Sequence, residues 1–123
     1  MTTTAHPVAS QTFTVLAEVS AERAHQDAKW GQQNHPDGTG PDVPLSIRRM
    51  LDAADAAFDA RHQVESSAKA GTLTWLEILS EEFFGALAED DPAALRAELV
   101  QVAATAVCWI EAIDRRARQT GRA

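Results

Sequence analysis

From Leu99 to Ile110 the chain has only two polar residues, Gln101 and Thr105, four apart and so on one face of a helix. A helix that is apolar nearly all round must be covered on most sides. In a chain of 123 residues one small bundle offers too little surface for that. The expectation is therefore an all-α protein that associates with copies of itself, as a dimer or higher oligomer. Abundant Ala and the absence of Tyr agree with helix throughout.

Start and stop signals divide the chain into four helices. The first is expected from about Gln11 to Trp30, with Phe13, Leu16, Val19 and Ala24 facing inward. Gly31 to Pro44 is rich in breakers, and a loop of that length in a compact domain is usually functional or mobile. The second helix is expected from about Leu45 to Ala70, with Ile47, Leu51, Ala54 and Phe58 at i, i+4, i+7 and i+11 and Gly71 at its end. Thr74 and Glu77 read as the capping box of the third. Asp91 and Pro92 read as the N-cap and first-turn proline of the fourth, which runs to about Arg116. The short links late in the chain give a four-helix bundle. One domain is expected over residues 11–117, between an N-terminal arm (1–10) and a C-terminal tail (118–123).

A net charge of −7 argues against binding a nucleic-acid polymer and suits a protein that handles small ligands. Cys108, between Val107 and Trp109, reads as a small buried hydrophobe. With one cysteine no disulfide forms within the chain, which points to a reducing, cytoplasmic setting. No 18-residue apolar span and no basic-then-apolar leader is read, so neither a membrane anchor nor a signal peptide is expected.

The chemistry lies in carboxylates where apolar residues belong. At ~100° per residue, Trp75, Ile78, Leu79, Phe83, Ala86 and Leu87 share one face of the third helix, and Glu82 falls inside that arc. Glu77 and Glu81 point to solvent on the same geometry. Glu98 lies at the edge of a face made by Leu95, Leu99, Val102, Ala106, Trp109 and Ile113. A carboxylate turned toward a core costs several kcal/mol unless a cation or donors compensate it. Two such residues on adjacent helices fit a shared divalent ion; a pair of boundary glutamates reaching to solvent is the alternative. A second group, Lys29, Trp30, Gln33, Asn34, His35 and Asp37, closes the first helix and opens the loop. Lys29 suits a phosphate, Trp30 a stacked base and Asn34 a base edge; a Trp plugging the bundle end and an Asx-turn at Asn34 are the alternatives. His35 beside Asp37 gives only a weak metal signal. Trp75 and Trp109 read as core. Arg48 and Arg49 read as a solvated face, and Arg115, Arg116, Arg118 and Arg122 as a basic end complementing the helix dipole.

Three segments together, residues 24–37, 73–82 and 95–104, resemble the MazG-like all-α nucleoside triphosphate pyrophosphohydrolases, in a short form found in phages and actinobacteria. That family carries Glu-Glu-x-x-Glu on one helix and Glu-x-x-Asp on the next. The resemblance implies Mg²⁺ (or Mn²⁺) held on carboxylates, cleavage of a (d)NTP between the α and β phosphates to (d)NMP and pyrophosphate, and a homodimer or homotetramer. It implies metal contacts from Glu82, Glu98 and Gln101, with Glu81 relaying to a water and Glu77 or Glu89 further out. It implies nucleotide contacts from Lys29, Trp30 and Asn34. The third Glu of the first motif falls on Gly85 and the motif Asp on Gln101. Gly85 offers no ligand and Gln101 a neutral carbonyl, a poorer partner for a hard cation. The resemblance thus admits two functions: an impaired pyrophosphohydrolase, or a degenerate nucleotide-binding or interaction protein of the same fold.

Overall fold

The computed structural model describes residues 7–43 and 52–121. Among these it is all-helical, with four helices and no strand: α1 Pro7–Trp30, α2 Ala53–Ala70, α3 Trp75–Leu87 and α4 Pro92–Gln119. α3 packs against both α2 and α4, and α1 packs against α4.

Local chemistry fixes the ends. α1 starts at Pro7, four residues before the expected start. α2 starts later than expected, because Asp52 is extended and accepts a hydrogen bond from the Asp55 amide as its N-cap. No helix runs through Asp52; Leu45, Ile47, Arg48, Arg49 and Leu51 lie outside the described residues, as does Arg122. Gly71 closes α2 in the left-handed region at φ 74°, which favours glycine. The capping box on α3 is complete: the Thr74 hydroxyl accepts from the Glu77 amide at 3.2 Å, and Glu77 accepts from the Thr74 amide at 2.9 Å. Thr74→Ala is expected to lower stability by about 1 kcal/mol in urea unfolding. No loss would mean that the loop described next caps α3 by itself.

The loop after α1 is a strap over α3 and α4. The carbonyls of Pro36 and Asp37 accept from the Trp75 and Leu76 amides at 2.8 and 2.9 Å, so the strap satisfies two free donors of the first turn of α3. Asp37 accepts from Trp109 Nε1 at 2.7 Å and pairs with Arg116 at 2.9 Å. Those bonds, the Arg116 one first, hold its carboxyl below its ordinary pKa. His35 packs edge-on to Trp75 with ring centres 4.9 Å apart, and burial pushes its pKa down. The strap crosses α3 so closely at Gly38 that a Cβ there would lie 2.8 Å from that of Thr74, and φ is +77°.

The core is small and made largely of small residues. Trp75, 1% exposed, packs with Cys108 and Ala112, and Ile78 and Trp109 flank them. Trp75 and Trp109 stack with ring centres 6.1 Å apart, as expected of core tryptophans. The inward faces differ from those expected. On α1 only Val19 of the four named residues is buried, and Phe13 is 72% exposed. The buried side of α4 is Ala104, Thr105, Cys108 and Ala112, while Leu99 and Ile110 are 52% and 57% exposed. Phe83 and Leu87 of α3 are also exposed. The reason is close approach: α1 and α3 seat against the small side chains of α4, which turns its large ones outward. α4 is also long and apolar enough, by length and composition, to cross a membrane, with mean hydropathy 1.4 over its best 18 residues. That corrects the reading that no such span exists.

Candidate functional site

Trp75, Ile78, Glu82 and Ala86 recur at i, i+3, i+7 and i+11, and this stripe of α3 is turned inward. Glu82 therefore sits in line with core residues, as the sequence indicated. One turn on, Gly85 faces α4: a Cβ there would lie 3.4 Å from Glu98 Oε2. The missing side chain is what leaves the Glu98 carboxylate its space against α3. Gln101 lies one turn after Glu98 and is half-buried.

The electrostatics follow from that packing. Burial pushes the Glu82 carboxyl up to about 7, and the charges of Glu81, Glu98 and Glu22 add to the shift. Glu81 is also raised, first by burial; Arg61 opposes the shift, while Glu65 and Glu98 reinforce it. Glu22, Glu81, Glu82 and Glu98 make no hydrogen bond or ion pair among the described residues. They come from three helices and lack the donors that normally accompany part-buried carboxylates. Glu81 is half-buried here rather than turned to solvent. Glu77 is also half-buried and accepts from Ser67 at 2.6 Å and Gln63 at 2.9 Å. Burial raises its pKa, but those bonds and the Thr74 cap outweigh that and lower it. Glu77 is thus committed to holding α2 against α3.

The structure sets the charges of Glu81, Glu82 and Glu98 close enough to act on one another, with Gln101 one turn after Glu98, and places Asn34 at the other end of α4. Asn34 Oδ1 accepts from Arg115 at 3.1 Å. Arg115 lies 17 residues beyond Glu98 on α4, about 25 Å along the axis. Trp30 is 63% exposed, and the Lys29 ammonium lies 4.8 Å from its ring centre. His35 and Asp37 are engaged in the strap, and among the described residues no group of three or more His, Cys, Asp or Glu is placed to hold a metal ion.

Sequence reasoning missed Glu22. Its signal was present: Val19, Glu22, Arg23 and Gln26 recur at i, i+3, i+4 and i+7, a polar-rich stripe around the buried Val19. The exposed Phe13 and Leu16 drew the assignment to the other side of α1. No protein-family model, curated protein or solved structure matches this chain.

Proposed function

We propose that the chain is a MazG-like nucleoside triphosphate pyrophosphohydrolase, Mg²⁺-dependent and impaired by the replacements at Gly85 and Gln101. What supports this is Glu82, turned inward on α3, and Glu98, whose carboxylate lies against α3 at Gly85, both part-buried and without a hydrogen bond or ion pair among the described residues. A donor set made only of carboxylate and amide oxygens suits a hard divalent cation, and Mg²⁺ commonly uses one or two carboxylates plus substrate oxygens. Glu82 and Glu98 would hold it, with the Gln101 carbonyl beside them. When bound, Mg²⁺ (or Mn²⁺) supplies charge neutralisation to the triphosphate and makes a coordinated water more acidic. The chain's own contribution to the proton step is Glu81, half-buried on the same helix and not needed to hold the ion, which would relay a proton from the attacking water. Water adds across the bond between the α and β phosphates, giving (d)NMP and pyrophosphate.

The exposed Leu99 and Ile110 of α4, with Phe83 and Leu87 of α3, support a homodimer or homotetramer in which a second copy covers them. In that reading α4 is a core helix of a cytoplasmic assembly rather than a membrane span. A second reading, a degenerate nucleotide-binding or interaction protein on the same fold, is favoured by Gly85, which supplies no carboxylate.

A pyrophosphate-release screen over common and modified triphosphates with Mg²⁺ or Mn²⁺, run beside calorimetry, tests both. Cleavage that is lost in Glu98→Ala together with metal binding is the expected result. Metal binding unchanged in that variant places the ion elsewhere, and nucleotide binding without cleavage selects the second reading.

A further inference from the structure

Beyond the carboxylate site, α1, the start of the strap and the last turns of α4 line an open cavity of about 520 Å³, a size common for small-molecule sites. On α4, Glu111, Asp114, Arg115 and Arg118 recur at i, i+3, i+4 and i+7, so one face of the helix forms one wall. The acids come first along that face and the bases last. Opposite Glu111, Arg23 of α1 pairs with Glu111 at 2.6 Å and with Asp27 at 2.9 Å. One guanidinium between two carboxylates leaves that trio with a single net negative charge. Asp114 adds a second and makes no bond among the described residues. At the outer end, Arg115 donates only to the neutral oxygens of Gln33 and Asn34, and Arg118 has no partner among the described residues. The lining is therefore neutral in sum but polarised along α4, negative at the Glu111 end and positive at the Arg118 end. Glu111 and Arg118 lie about 10 Å apart along the helix axis.

We infer that this cavity is a binding site for a small zwitterion whose ammonium and carboxylate are separated by a short chain. The ammonium meets Asp114 and the free oxygens of Asp27 and Glu111, and the carboxylate meets Arg115 and Arg118. Such a ligand satisfies both ends at once. A simple anion would leave the acids unpaired, and a simple cation would leave the guanidiniums unpaired. The Cys108 thiol, in the lining, is kept neutral by burial and accepts from Gln33 Nε2 at 3.9 Å, so it adds no charge to this balance.

The test uses the full chain and three probes of one length: 6-aminohexanoate, hexanoate and hexylamine, followed by calorimetry and by amide chemical shifts. The zwitterion is expected to bind at least tenfold more tightly than either singly charged probe, with shifts centred on residues 108–118. Arg118→Met and Asp114→Asn, at exposed positions without partners among the described residues, each remove one end of the recognition. Each is expected to weaken 6-aminohexanoate at least fivefold while the fold, read by circular dichroism, is kept. Hexanoate or hexylamine binding as tightly as the zwitterion overturns the inference. So do affinity unchanged in both variants and no binding of any probe.

Discussion

At pH 8, Glu82→Gln is expected to be more stable to urea than the natural chain, by roughly 1–2 kcal/mol, and at pH 4 the two are expected to be equal. The sign follows from linkage. Glu82 titrates at about 7 in the folded chain against 4.5 as its ordinary value. Between those values the folded state binds the additional proton. The contribution of protonated Glu82 is complete below about pH 4.5 and is lost as pH rises through about 7. A shift of that size on a fully enclosed group corresponds to ~3 kcal/mol. Glu82 keeps one side open to solvent, which screens its neighbours and roughly halves the figure. Gln has nearly the same shape and no charge to lose, so the pair of proteins isolates this one group from all others that titrate. Saturating Mg²⁺ should stabilise the natural chain at pH 8 and leave the variant unmoved. Equal stability of the two proteins at pH 8 would mean that the carboxylates do not strain the fold.

The double variant Gly85→Glu, Gln101→Asp is expected to raise triphosphate cleavage at least tenfold over the natural chain, with tighter Mg²⁺ binding. A Cβ at Gly85 sits against Glu98 Oε2 at 3.4 Å, at the near edge of ordinary contact, so the new carboxylate enters the existing group. Replacing a helix-interior glycine also adds about 0.5–1 kcal/mol from reduced chain freedom. Without metal, a further negative charge beside Glu98 offsets that gain. Rate and metal affinity, rather than melting temperature, are therefore the readouts. A natural chain already as fast as the double variant would show that Glu81, Glu82 and Glu98 suffice for the chemistry.

The signals legible in the sequence are those written within one turn of chain. Thr74 with Glu77, Asp91 with Pro92, and Gly71 each mark an end through bonds to residues no more than four away, and the structure shows these ends. Glu82 was visible for the same reason, as a charge out of step with its own helix. What a helix packs against was not legible. Periodicity favours the side with the largest residues, whereas the observed contacts use Ala104, Cys108 and Ala112. Close approach of backbones depends on the partner helix, about which one helix's sequence says little. The strap was hidden likewise. Asp37 of the loop is 72 residues from Trp109 and 79 from Arg116, and nothing local links it to them.

The neighbours of α1 carry a consequence for motion. α2, α3 and α4 follow one another in the chain and pack in that order, whereas α1 packs against α4. Its attachment rests on Val19, the Arg23–Glu111 pair and the exposed Arg96–Glu18 pair. Undocking α1 breaks fewer contacts than unfolding the other three helices, so its amides are expected to exchange with solvent through a local opening. Docking α1 also delivers the Glu22 charge to Glu82. Breathing of α1 and the protonation of Glu82 are therefore coupled, and a proton on Glu82 is expected to favour the docked first helix.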